Sequence, residues 1–148
     1  RRTPKSELLL VAAALRDPRL IEGRDVEEIA GRMSDAELAA LFRTLVERGL
    51  NGAQVADAAA LDMVSSTELR AALSGRALDD ELIKAGSGAR IVDDCVARIR
   101  HDWVAASLKL IDAEILKMQE TGETTGLPTL LKRKMDLARD IKSGRVVP

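Results

Sequence analysis

Few residues in this chain have types and spacing suited to chemistry. Asp93-Asp94 and Asp79-Asp80-Glu81 are the carboxylate clusters. A general acid/base pair or a magnesium site needs carboxylates that converge in a cleft. Neighbours on a helix point about 100° apart, so Asp93 and Asp94 read as a solvated helix start. Gly86-Ser87-Gly88 lacks the second glycine and the Lys-Ser/Thr of a phosphate loop, and no strand precedes it. It reads as a linker whose serine caps the next helix. One cysteine and one histidine exclude an intramolecular disulfide and a Cys- or His-rich metal cluster. Cys95 falls on an apolar stripe and reads as a core thiol, and His101 reads as a surface residue. No nucleophile stands beside a base. We therefore expect no catalytic, cofactor or metal site.

The remaining short motif is Leu131-Lys132-Arg133-Lys134. Nucleic-acid binding favours a broader basic patch interleaved with aromatics, and aromatics make up only 1% of this chain. The run reads either as a solvated helix face or as a contact for an acidic protein. Trp103, the only tryptophan, reads as a packing residue at the point where a long helix leaves the body.

The elements that must position these residues are helical. The chain has 148 residues, 46% of them hydrophobic, and its apolar content is dominated by Ala and Leu. With so few aromatic residues it does not read as a sheet protein. The net charge of −1 offers no global attraction to nucleic acid or anionic lipid. The apolar run Leu8 to Leu15 is too short to span a membrane, which needs roughly 20 residues, and Asp17-Pro18-Arg19 is no signal cleavage site. A cytoplasmic protein is expected, excised from a longer one because no Met begins it.

Thr3-Pro4 predicts the start of a buried first helix that ends at Asp17-Pro18. A short helix is expected over 25–33. Ser34-x-x-Glu37 and Ser65-x-x-Glu68 read as capping boxes. Leu38, Leu41, Phe42 and Leu45 form the stripe behind the first, and Leu69, Ala72 and Leu73 follow the second. Further helices are expected over 51–61 and 79–84. From Ala89 to about Thr121 there is no Pro or Gly. A helix of that length extends about 50 Å, longer than a globule of this size is wide, so part of it must project. Its stripe runs through Ile91, Val92, Cys95, Val96, Ile99 and Trp103 and continues through Val104, Leu108, Ile111, Ile115 and Met118. Gly122 and Gly126 bracket a turn, Pro128 opens a last helix, and Gly144 stops it. The expected architecture is all-α: a multi-helix bundle over 1–86, then a long helix and C-terminal αα-hairpin over 87–148. Residues 127–148 carry six bases and two acids, a basic arm on an acidic body.

Glu7-Leu-Leu-Leu-Val-Ala-Ala-Ala-Leu-Arg-Asp-Pro-Arg-Leu-Ile21 resembles the opening of the C-terminal domain of bacterial DNA primase. Ile91-Val-Asp-Asp-Cys-Val-Ala-Arg-Ile-Arg100 resembles the start of that family's long helix, and Leu110 to Ile141 its terminal hairpin. The resemblance rests on apolar positions along essentially the whole chain, not on catalytic signatures. Thr124 and Thr125 depart from the charged residues often found in the family's turn. The resemblance implies a helicase-binding domain that docks primase on the replicative hexameric helicase, with primer synthesis in other domains. Its bundle is similar in fold to the helicase's own amino-terminal domain, which is one alternative identity. A small helical nucleic-acid-binding module is the other. The expected helicase contacts are Leu116, Met118, Leu127, Leu130, Leu131, Lys132, Arg133 and Lys134. No cofactor, membrane or direct nucleic-acid partner is expected. A glycine-rich hinge before a long helix permits either a monomer or a hairpin-swapped dimer.

Overall fold

A computed structural model describes residues 3–50, 62, 64–74, 80, 84 and 88–142. All regular structure among them is helical. The α-helices are α1 (Lys5–Arg16), α2 (Val26–Arg32), α3 (Ala36–Leu50), α4 (Thr67–Ser74), α5 (Gly88–Thr121) and α6 (Leu127–Lys142), with a 3₁₀ turn at Pro18–Ile21. No helix among the described residues is long and apolar enough to cross a membrane. The helices expected over 51–61 and 79–84, the stop at Gly144 and the 86/87 division lie outside the described residues, apart from isolated helical positions at Asp80 and Lys84.

The chain forms two compact units, Arg1–Ile99 and Arg100–Pro148. Ile91, Val92, Cys95, Val96 and Ile99, in the opening turns of α5, are buried in the first unit's core and belong with it.

In the first unit α1 is packed by α3, α4 and the 3₁₀ turn. Leu10, Val11, Ala12, Ala13 and Ala14 are all buried, so no face of this stretch is left to water. That is why a stripe of Leu alone could not mark its inner side. The expected α3 stripe is the core itself, for Leu38, Leu41, Phe42 and Leu45 are essentially inaccessible. Asp17 ends α1 and caps the 3₁₀ turn, its carboxylate accepting from the Arg19 backbone N–H. The Arg19 side chain also donates to Asp17, which lowers that carboxyl below its ordinary value.

The caps depart from the expected boxes. Thr3 does not cap α1; its hydroxyl donates to Asp35 Oδ2 at 3.3 Å. Asp35, not Ser34, caps α3, its Oδ1 accepting from the N–H groups of Glu37 and Leu38. Ser34 is taken instead by Glu7, which lies 3% exposed in α1. The Glu7 carboxylate accepts from Ser34 N at 3.1 Å, Ser34 Oγ at 2.7 Å and Asp35 N at 3.0 Å. Glu37, freed from the box, accepts from the N–H and hydroxyl of Ser65. Ser66, one residue after the expected position, caps α4 by accepting from Leu69 N.

In the second unit the distal part of α5 and α6 run antiparallel. Gly126 lies against the Met118 methyl, and farther from the turn Lys134 Nζ meets Asp112 Oδ1 at 2.6 Å. Gly122 has φ +75, the left-handed geometry that ends a helix and that side-chain-bearing residues resist. Leu127 N then donates to Thr124 O, and α6 begins with Pro128 in its second position.

Candidate docking surface

The two helices of the hairpin each present one stripe inward. On α5, Val104 and Ile111 are buried, and Leu108, Ile115 and Met118 are half-buried. On α6, Leu127, Leu130, Lys134, Leu137 and Ala138 are half-buried. These positions recur at steps of three and four, as an antiparallel helix pair requires. The expected contact residues are therefore sorted by the fold. Met118, Leu127 and Leu130 lie on the stripes that close the hairpin. Leu116 and Leu131 face water, at 57% and 45% exposure.

The basic run is also divided. Consecutive helical residues diverge by about 100°, so Lys132, Arg133 and Lys134 cannot line one edge. Lys132 and Arg133 are exposed on different sides of α6, and Lys134 is on the seam in its ion pair with Asp112. The single rim expected from sequence is thus replaced by two divergent exposed bases and one that ties α6 to α5.

Two exposed apolar residues were not among the expected contacts. Met135 is 64% exposed and Leu110 is 68% exposed. Met135 was legible, since it follows Leu131 by four on the same side of α6. The Asp112–Lys134 pair fixes which sides of the two helices meet. Leu116 is four residues beyond Asp112, Leu131 three before Lys134, and Met135 four beyond Leu131. Leu116, Leu131 and Met135 therefore share one face of the hairpin around the ion pair. Leu110 lies on the other side of α5, in line with Glu114 and Lys117.

Among the residues expected to do no chemistry, Asp93 pairs with Arg24 across the first unit, and Cys95 is a buried free thiol. Burial, and secondarily the charge of Asp94, pushes that thiol up to about 11. His101 Nδ1 lies 3.5 Å from Asp102 Oδ1 but makes no hydrogen bond. Trp103 is half-buried. No group of three or more His, Cys, Asp or Glu side chains suited to a metal ion occurs among the described residues. A cleft of about 490 Å³ lies in the first unit between α1, α3 and α4, lined by Leu8, Asp35, Glu37, Glu68, Leu69 and their neighbours. Two of its three carboxylates, Asp35 and Glu37, are already engaged in capping α3 and holding Ser65.

The fold class is all-α and the most prominent exposed feature is the apolar face of the hairpin. No protein family, curated protein or solved structure matches the chain.

Proposed function

We propose that the chain is a non-catalytic docking module, and that its partner is the replicative hexameric helicase of a bacterium. The observation that carries the docking reading is the hairpin face on which Leu116, Leu131 and Met135 stand exposed together. Apolar side chains grouped in this way, with charged residues at their edges, are the usual anatomy of a modest protein interface. The helicase as partner rests on the resemblance of the apolar pattern to the primase C-terminal domain, whose terminal hairpin this unit resembles. On this reading the chain itself carries no primer-synthesis, nuclease or ATPase activity.

The test is titration of a purified bacterial replicative helicase with the chain and its variants, each checked for helicity. Leu131→Ala and Leu116→Ala should each weaken binding, with a hot-spot loss of about 2 kcal/mol for the better anchored of them. Lys132→Ala with Arg133→Ala should cost less and should reduce the salt dependence. Binding to DNA with none to helicase would replace this reading with the nucleic-acid one.

A further inference from the structure

The exposed face of the hairpin has a charge pattern as well as an apolar one. Stepping by three and four along α5, Lys109, Asp112, Leu116 and Glu120 fall on the same side. On α6 the corresponding positions are Leu131, Lys132, Met135 and Arg139. Lys109, Lys132 and Arg139 are exposed and border the apolar residues, Arg139 in a loose, exposed ion pair with Asp136 at 3.9 Å, and Glu120 is the acidic member near the turn. In the middle, Lys134 spends one ammonium N–H on Asp112 while its side chain stays 45% exposed. An ammonium has three donors, so it can still offer one to an incoming carboxylate. The opposite side of the hairpin differs. There Leu110 is accompanied by Glu114, Lys117, Arg133 and Asp140, with no second large exposed apolar side chain among the described residues.

We infer that the Leu116–Leu131–Met135 face receives one amphipathic α-helix of the partner, apolar along its centre and acidic along its flanks. Two antiparallel helices leave a shallow groove above their seam, and a third helix fills such a groove with residues at i, i+3, i+4 and i+7. The three apolar side chains supply the floor. Lys109, Lys132 and Arg139 select acidic flanks by charge complementarity, and a partner with basic flanks is repelled. The inference rests on the docking reading and names the chemistry of what docks.

The probe is a fluorescein-labelled synthetic helix of about 18 residues, long enough to hold its form, with Leu on one face and Glu flanking it. Its counterpart has Lys in place of Glu. Both are titrated into the full chain and followed by anisotropy. The Glu-flanked helix should bind at least about tenfold more tightly than the Lys-flanked one. Leu131→Ala with Met135→Ala should weaken it about tenfold, and Leu110→Ala should leave it unchanged. Lys132→Glu with Arg139→Glu should invert the preference between the two probes. These substitutions are at exposed positions, and circular dichroism verifies that each variant keeps its helicity. Equal affinity for the two probes, no binding of either, or an equal loss in Leu110→Ala overturns the inference. The same variants are then titrated with the helicase. Loss of the acidic-probe preference with helicase binding intact rejects the acidic-helix inference alone. An intact preference with no helicase binding supports the inference and rejects the helicase as partner.

Discussion

Two buried side chains in the first unit hold their positions by different means. Glu7 is tolerated in the interior because three donors from Ser34 and Asp35 surround its carboxyl oxygens. Glu7→Ala removes the acceptor of the buried Asp35 N–H and of the partly exposed Ser34 N–H and hydroxyl. We expect a loss of about 2–3 kcal/mol, read as a lower urea midpoint, and a smaller loss for Glu7→Gln, which keeps an acceptor. An unchanged midpoint in Glu7→Ala would show that water replaces the carboxylate. Cys95 is buried and neutral. Its thiol is raised from 9.0 to about 11, so the unfolded chain loses its proton first as pH rises. The stability contributed is fully present below pH 9 and is lost between pH 9 and 11. The shift corresponds to roughly 2–3 kcal/mol. The difference in unfolding free energy between wild type and Cys95→Ala should narrow by that amount across the interval. The native thiol should also resist disulfide reagents at pH 8 until the chain unfolds.

Each helix terminus is decided by a competition between nearby donors and acceptors. Asp35 holds the start of α3 and Ser34 does not, so Asp35→Ala should cost about 1–2 kcal/mol through the lost cap. Ser34→Ala removes one hydroxyl bond to Glu7 and should cost about 1 kcal/mol or less. Equal effects would restore Ser34 to the capping role. In the hairpin, Gly122 has open space around its Cβ position but a positive φ, so Gly122→Ala meets backbone strain and no clash. A destabilisation of about 1 kcal/mol is expected, read by thermal unfolding. The Asp112–Lys134 pair is about half exposed at both ends, so a double-mutant cycle should give only a few tenths of a kcal/mol, about 0.5. It marks the register of the two helices, which the apolar seam between them holds.

The two compact units differ in how completely their helices are enclosed. α1 and α3 are packed on several sides, with Leu10, Val11, Ala14, Leu38, Phe42 and Leu45 inaccessible to water. In α6 no described side chain is fully buried. Amide exchange should therefore be slowest in α1 and α3 and faster in α6, by an opening free energy difference of at least about 2 kcal/mol. Uniform protection through both would mean that they open as one cooperative unit.

Much of this architecture can be read from local rules. Helix type follows from Ala and Leu content, and breaks follow from Asp17-Pro18 and Gly122, where fixed or left-handed backbone angles stop a helix. The stripes Leu38–Leu45 and Val104–Met118 follow from the helical period, because burial on one face imposes steps of three and four. Tertiary structure decided what local rules leave degenerate. Ser34-x-x-Glu37 satisfies the pattern of a capping box, yet Glu7, 27 residues away, captures Ser34, and Asp35 caps α3. A buried carboxylate must find donors wherever the fold brings them, and that demand is invisible along the chain. The same holds for the hairpin. Leu116, Met118, Leu127, Leu130 and Leu131 are equivalent in composition, and only the pairing of α5 with α6 divides them into seam and surface. Lys134 reads in sequence as one of three rim cations, but its partner Asp112 lies on another helix. Charge runs fix how many cations there are, and the packing of helices fixes the directions in which they point.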